Sequence, residues 1–399
     1  MSKTLIIGDI HIGKGLNIGK PAIGQGFNSR INDQIKLLDW IIDVIHENNV
    51  DQIILTGDIF EEIRPEFYLF KIFIDFLKRI ELESVDCHIV SGNHDIKRSG
   101  NVFTSVLDII SSFDFNHIFY HKTLTTIHTK GASFTLLPYK DRRGMNVENI
   151  NDALKSIEEC ISYEVLGIPH NDKKVLIGHL ALEGALYVGD EVDDAQNEII
   201  CPLSLFLNYD YTWMGHVHKL QILSRSPYIS HIGSLDLSDF GETGHNKILI
   251  LFDSDSDDHF IEIPVPSRPL RRLRISVPEN QNVTEYVLDA IKNHNETLDY
   301  KNSYVKLEIT INGDQEGINK KQIEEYIYSF GTYYITNISE SRNISVVSQE
   351  KRELVDNTVD PKSAVKLYAS TLSFKDDDEK QDFINECFSV IEELKETIK

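Results

Sequence analysis

The chain has 399 residues, of which 41% are apolar and 26% charged. That length suggests two or three domains at roughly 150 residues each, with ample apolar material for a core. Its 63 acidic residues against 40 basic ones give a net charge of −23, which excludes a general polycationic nucleic-acid binder and argues against affinity for anionic membranes. Any nucleic acid must be held by local basic patches, by metals or by a partner. Cys87, Cys160, Cys201 and Cys387 are far apart with no CxxC pair, the pattern of reduced thiols. Met-Ser-Lys-Thr leads straight into a strand-like run, and no apolar stretch approaches the ~20 residues that span a bilayer. The expectation is a cytoplasmic protein, or one of the host cytoplasm if the chain is viral, without membrane contact.

Short apolar runs ending in glycine or proline predict strands at Thr4–Gly8, Gln52–Gly57, Cys87–Gly92, Ser133–Pro138, Lys174–Gly178 and Tyr211–Gly215, each of a length suited to strands buried on both faces. Between the first two, Ile31, Ile35, Leu38, Ile42 and Ile45 recur at helical spacing, and a second helix is expected over Phe67–Ile80. This is an α/β layout with parallel connections. Beyond Gly215, strands at Tyr228–Ser234, Lys247–Phe252 and Phe260–Val265 are joined by turns, one of them the acidic run Asp253–Asp258, so an antiparallel part is expected. Pro264, Pro266 and Pro269 mark a boundary. Past it come strands at Arg271–Val277 and Tyr304–Ile311, helices at Glu285–Lys292 and Lys320–Ser329, and amphipathic segments at Lys362–Leu372 and Lys380–Ile398.

Five short segments carry the chemistry: Asp9-Ile10-His11, Gly57-Asp58, Gly92-Asn93-His94-Asp95, Gly178-His179 and Gly215-His216-Val217-His218. Singly, each is ordinary turn chemistry. Together, in order and mostly just after predicted strands, they place Asp, Asn and His donors on one edge of a sheet. Alternate residues of an extended chain share a side, so Asp9 with His11, and His216 with His218, are able to face one site if each pair stays extended. Asp58 suits a bridging role, Asn93 offers a carbonyl oxygen and His179 an imidazole nitrogen. Seven mixed O and N donors without a thiolate suit two divalent ions such as Mn²⁺, Fe²⁺ or Zn²⁺ better than Mg²⁺, Ca²⁺ or a structural zinc. Two ions ~3.5–4 Å apart activate a water and clamp an in-line displacement at phosphorus. His94, beside Asn93, is the candidate general acid for the leaving alkoxide.

These five segments resemble the motifs of the calcineurin-like metallophosphoesterases, a superfamily of protein phosphatases, nucleotide phosphodiesterases and DNA nucleases. Protein phosphatases continue the second motif as Gly-Asp-x-x-Asp-Arg-Gly; here Gly57-Asp58-Ile59-Phe60 runs on to Arg64-Pro65. That form resembles the nuclease subunit of SbcCD-type repair complexes, the SbcD family. So does the stretch Ile232-Gly233-Ser234-Leu235 followed by Ser238-Asp239-Phe240-Gly241-Glu242. The resemblance implies a calcineurin-like two-sheet α/β sandwich over residues 1–265, a small α+β capping domain over 266–350, and a helical tail over 351–399 that binds an SMC-like coiled-coil ATPase of SbcC type. It implies one metal on Asp9, His11, Asp58 and His218, another on Asp58, Asn93, His179 and His216, His94 as the catalytic histidine, and Mn²⁺ as the ion. The implied activities are exonuclease action on duplex DNA from 3′ to 5′ and endonuclease action on single strands and hairpins, in DNA repair, recombination and replication, with a homodimer as the usual state. One departure stands out: several family nucleases carry histidine where this chain has Glu61, which cannot act as an imidazole does and leaves the balance of the two activities open.

Lys14, Arg30, Arg64 and Arg98 follow ligand segments closely and are candidate DNA-phosphate contacts, and Arg268, Arg271, Arg272 and Arg274 form the densest basic cluster. Two other functions stand against the nuclease. A small-molecule or cyclic-nucleotide phosphodiesterase needs no capping domain and tail, and a non-catalytic scaffold predicts missing ligands.

Overall fold

The computed structural model describes residues 2–22, 24, 26–99, 102–142, 145, 147–188, 198–256, 258–313, 315–343, 361–369, 374 and 377–397. Strand β1 (Lys3–Ile7) leads through a long loop to helix α1 (Ser29–Asn48), then β2 (Gln52–Leu55), α2 (Phe67–Glu83) and β3 (Asp86–Val90). A short hairpin, β4 (Lys97–Ser99) and β5 (Val102–Thr104), precedes β6 (Ile118–His121), β7 (Thr125–Thr129) and β8 (Ala132–Leu137). Helix α3 (Ile150–Gly167) is followed by β9 (Lys173–His179), the short pair β10 (Ala181–Leu182) and β11 (Ile200–Cys201), and β12 (Tyr211–Gly215). Strands β13 (Gln221–Arg225), β14 (Tyr228–His231), β15 (Ile248–Asp253) and β16 (Phe260–Pro264) complete this part.

Twelve of these strands form two six-stranded sheets, ordered β16-β15-β1-β2-β3-β6 and β13-β14-β12-β9-β8-β7, and β4–β5 and β10–β11 form separate pairs. In the first, β1, β2, β3 and β6 run parallel, and β15 is antiparallel to both β1 and β16. In the second, β8, β9, β12 and β14 run parallel, flanked by antiparallel β7 and β13. Apart from Asp257, which lies outside the described residues, the acidic run turns the β15–β16 hairpin, as expected. Alternation of side chains explains the layers. Ile6, Ile54, Val175, Ile177 and Trp213 meet between the sheets. Their neighbours Leu5, Ile7, Ile53 and Leu55 turn outward against α1 and α2, while Leu176 and Met214 turn outward to Ala153, Ile157 and Ile161 of α3. The molecule here is a four-layer α/β sandwich of calcineurin-like architecture. Helix α3 gives little sequence signal because its buried stripe is only these three residues wide.

Beyond the prolines, β17 (Leu270–Val277), α4 (Val283–Leu298), β18 (Tyr304–Asn312), α5 (Lys320–Ser329) and β19 (Tyr334–Asn343) build a small parallel sheet, ordered β17-β18-β19, with two helices on one face. Val305, Leu307, Ile309 and Ile311 of β18 alternate onto Val287, Ile291, Ile323 and Ile327 of the helices. Strand β19 has a single buried position, Ile338, and gives no periodic signal in the sequence. This unit docks on the sandwich through Arg268, whose Nε and Nη2 donate to the Asp33 carboxylate of α1 at 2.9 and 2.8 Å. The same guanidinium lies 3.8 Å above the Tyr333 ring. The Tyr304 hydroxyl adds a bond to Asp33 at 2.8 Å. Arg272 and Arg274 pair with Glu308, and Arg271 donates to the Asp299 carbonyl. The basic cluster is thus engaged in internal contacts.

Helices α6 (Pro361–Ala369) and α7 (Asp377–Thr397) pair with each other, Phe374 meeting Phe383 at 5.5 Å. Phe383, Cys387 and Ile391 of the expected stripe are half-buried; the ends of the two expected helices at Leu372 and Ile398 lie outside the described residues. Among the described residues no helix is long and apolar enough to cross a membrane.

Candidate metal centre

The central strands of both sheets are parallel, so their C-terminal ends open on one edge, the usual place for a site in such sheets. Asp9 and His11 follow β1, Asp58 follows β2, Asn93 follows β3, His179 ends β9, and His216 and His218 follow β12. The chain does not stay extended through them. His11, Asp58 and His216 take left-handed backbone angles, with φ of 48°, 45° and 83°, each costing on the order of 1–3 kcal/mol. The extended-pair expectation is therefore corrected: His216 and His218 diverge to different donor groups, because the chain turns sharply as it leaves β12. Two glycines make room. A Cβ on Gly57, where φ is +121°, would lie 2.6 Å from His179 Nδ1, and one on Gly215 would lie 2.3 Å from Asp9 Oδ1.

All seven predicted ligands converge. Asp9, His11 and His218 form one group, and Asp58, His179 and His216 a second, with donor atoms in each lying within 4.8 Å of one another. The Nε2 atoms of His11 and His218 stand 2.9 Å apart. Asn93 Oδ1 lies 2.8 Å from His179 Nε2 and 3.0 Å from His216 Nδ1, which puts it in the second group. Asp58 Oδ2 is 3.2 Å from His179 Nε2 and 3.5 Å from His11 Nε2, so it stands between the groups as a bridge must. Asp9 and His179 are fully buried, and Asp58 and His11 nearly so.

The electrostatics favour cations. Burial works against a charged His179, but the carboxylates of Asp58 and Asp9 outweigh it and push the imidazole up to about 9. Burial would raise Asp58; His179, His94 and His11 instead hold it well below the usual carboxylate range. For His218 burial prevails and lowers it to about 4, leaving a neutral ring, the form that ligates a metal. Buried carboxylates among imidazole and amide donors, without sulfur, form a set that fits two divalent cations.

Several supporting residues carry no role that the sequence reveals. The Thr56 hydroxyl donates to Asp9 Oδ1 at 3.0 Å, and the His216 backbone N–H to Asp9 Oδ2 at 2.7 Å. Asp95 accepts the N–H groups of Gly92 and Ile59, both at 2.9 Å, tying the second motif to the third; burial and nearby Asp58 push its carboxyl to about 7. Glu198 Oε1 lies 2.8 Å from His216 Nε2, which directs Nδ1 to the centre. Glu242, from the Ser-x-Phe-Gly-Glu stretch, has Oε1 3.8 Å from His218 Nδ1 and Oε2 2.7 Å from the buried Lys247 ammonium. That ammonium also donates to the His218 carbonyl at 2.9 Å. Carboxylates behind ligand imidazoles fix ring orientation and basicity. The motif is visible in the sequence; its partner Lys247 is not.

His94 lies at the rim, its ring edge-on to His11 with centroids 5.1 Å apart. Its Nδ1 donates to the Glu61 carbonyl at 2.6 Å. Burial opposes a charge on His94, but Asp58, the Glu61 carbonyl and the Glu61 carboxylate raise its pKa above the ordinary value. The Glu61 carboxylate stands 3.0 Å from His11 Nδ1 and 3.0 Å from Lys14 Nζ. Burial alone would raise it, yet His11 and Lys14 lower it to about 2. Glu61 therefore stands as a charged carboxylate beside the His11 ring.

The basic residues fare unequally. Lys14 is paired with Glu61 at the rim, and Arg64 is exposed. Arg98 lies on β4, its side chain outside the described residues. Arg30 is corrected: its guanidinium is 0% exposed, donating to Asp236 at 2.6 Å and to the Leu237 carbonyl at 2.5 Å. A cation enclosed in this way has no face for a phosphate and serves as an anchor between α1 and the loop after β14.

Residues 2–220 match the family described as calcineurin-like phosphoesterase. The chain is 22% identical over 372 residues to the SbcD component of nuclease SbcCD from Staphylococcus epidermidis, covering 89% of this chain and 92% of that protein. Among solved structures it is similar to a dimetal phosphatase from Danio rerio, at 12% identity and a TM-score of 0.38, and to TT1561 of Thermus thermophilus, at 11% and 0.35. Each covers 66% of this chain and 99% of the other. With its donor set complete and more than half its length matched, the chain belongs to the calcineurin-like phosphoesterase family, and it is a metal-binding phosphoester hydrolase.

Proposed function

We propose that the chain is the nuclease subunit of a DNA repair or recombination complex, a two-metal enzyme that cuts duplex DNA from its ends and single strands or hairpins internally. The observation that carries this reading is the colinear similarity to a curated nuclease component over 89% of the chain and 92% of that protein, which reaches past the sandwich into the capping unit and tail. A small-molecule phosphodiesterase accounts for the donors but not for that reach, and a scaffold does not account for the retention of all seven donors.

Two divalent cations, Mn²⁺ by the family resemblance, would supply an activated water and a clamp on the phosphoryl oxygens. Asp9, His11, Asp58 and His218 would hold one, and Asp58, Asn93, His179 and His216 would hold the other. His94 carries the proton for the leaving 3′ or 5′ oxygen at Nε2, because its Nδ1–H is committed to the Glu61 carbonyl. Lys14, Arg64 and Arg98 position the phosphate backbone. The functional parts are a nuclease domain over 1–265, a capping domain over 266–350 and a tail over 351–399 that docks an SMC-like coiled-coil ATPase of SbcC type. The assembly is a cytoplasmic homodimer on DNA.

The test is incubation of purified protein in Mn²⁺ with linear duplex, hairpin and single-stranded DNA, beside bis(p-nitrophenyl) phosphate. Cleavage of DNA is expected, with His94→Ala reducing kcat by about 10²–10⁴-fold while two metal ions remain bound. Hydrolysis of the small diester with no cleavage of any DNA, even after adding the ATPase partner, would remove the nuclease reading. Unchanged kcat in His94→Ala would remove the assigned acid.

A further inference from the structure

Beside the metal centre, residues of the β4–β5 hairpin and of the loop after β8 enclose a cavity of about 400 Å³, within the range that takes one small organic molecule. Asn93 is part of its wall, the same residue whose Oδ1 lies within 3.0 Å of both His179 and His216. Ile96, Phe103 and Tyr139 supply apolar and aromatic wall, and Lys122, Lys140 and Asp141 supply charged groups of both signs. Tyr139 adjoins the metal ligands: its ring lies 6.3 Å from His216 at 29° and edge-on to His179 at 6.2 Å. Lys140 donates to the Lys122 carbonyl at 3.1 Å, and burial lowers its pKa; Lys122 is itself paired with Asp108 at 2.6 Å. Apart from Asn93, these residues fall outside the five segments that carry the hydrolytic chemistry.

We propose that this cavity receives the unpaired base and sugar of the nucleotide next to the scissile phosphate, so that cutting occurs where one strand has left the duplex. The proposal rests on the nuclease reading above and deepens it by naming the substrate form. A phosphate at the metals is joined covalently to the next nucleoside, and the cavity shares Asn93 with the metal site. Aromatic faces accept any base by stacking, which suits a site without sequence preference. A paired base would have to bring its partner and stacked neighbours, for which a cavity of this volume has no room.

The experiment uses the full chain in Mn²⁺ with single-stranded oligonucleotides carrying one abasic residue, moved stepwise through the sequence, and bis(p-nitrophenyl) phosphate as a substrate lacking a base. An abasic residue at one position beside the cut is expected to lower kcat/KM about tenfold, the scale of a lost base–aromatic stack. Phe103, at 39% exposed, is the variant site. Phe103→Ala should lose about tenfold on intact DNA, hydrolyse the small diester at the unchanged rate and be indifferent to the abasic residue; Phe103→Tyr should restore cutting. Unchanged cutting by Phe103→Ala, an abasic penalty equal in both proteins, or parallel loss on the small diester would overturn the cavity assignment while leaving the nuclease intact. Absence of DNA cleavage by the unsubstituted protein, with the small diester still hydrolysed, would instead remove the nuclease reading and this proposal with it.

Discussion

Glu242 beside the metal centre and Glu308 in the capping sheet are both held below the ordinary carboxylate range by basic neighbours, in very different surroundings. Burial would raise Glu242, but Lys247 and His218 outweigh it; both members of the Glu242–Lys247 pair are almost fully buried. Glu308 is lowered to about 2 chiefly by its hydrogen bond with Arg272, against burial, with Lys306 and Arg274 adding to it, and Arg274 is 70% exposed. Water screens the second cluster and leaves it worth little. In the first, each charge has lost its hydration and depends on the other. The buried pair also touches function, since Lys247 holds the His218 carbonyl and Glu242 stands behind the His218 ring.

Removing one partner from each cluster tests the contrast most severely. Lys247→Met is expected to cost about 3–5 kcal/mol, because it strands a buried carboxylate, and Glu308→Gln about 0–1 kcal/mol, both read from urea unfolding. Equal losses would break the comparison. A smaller effect is expected on metal binding. Glu242→Gln should weaken divalent-metal affinity about 10–100-fold by loosening His218, with no change in Glu308→Gln, as measured by calorimetric titration. Identical affinities in both variants would reduce Glu242 to a structural role. The smallest expected effect is on acid stability. The folded carboxyl of Glu308 titrates at about 2 against an ordinary 4.5, so protons bind the unfolded chain more tightly. Its contribution is complete above pH 4.5 and is lost as pH falls from there through 2. Glu308→Gln should therefore flatten the acid limb of stability slightly in that window, and a variant with a steeper limb would contradict the sign.

The same contrast explains what is legible in the sequence. The donors of the metal centre lie within a few residues of strand ends, and strand ends are marked by apolar runs closing in glycine. Short-range pattern is therefore enough to find Asp9, His11, Asp58, Asn93, His179, His216 and His218. Lys247 bonds a carbonyl 29 positions away, and Arg30 reaches Asp236 across 206. No local pattern separates such cations from exposed ones, which is why the sequence groups Arg30 with the phosphate contacts. Strand β19 and helix α3 are hard to read for a related reason: sparse burial leaves too few apolar positions to set a period.

By itself the sequence determined the alternation of strands and helices, the donor types and their order, because these follow from residue chemistry and from periods of two and 3.6 residues. Tertiary structure alone decided the backbone that brings these donors together, through left-handed turns at His11, Asp58 and His216 that break the expected extension. It also decided which charges are buried. That outcome depends on which surfaces meet when two sheets and a capping unit close on one another, and charge alone does not reveal it.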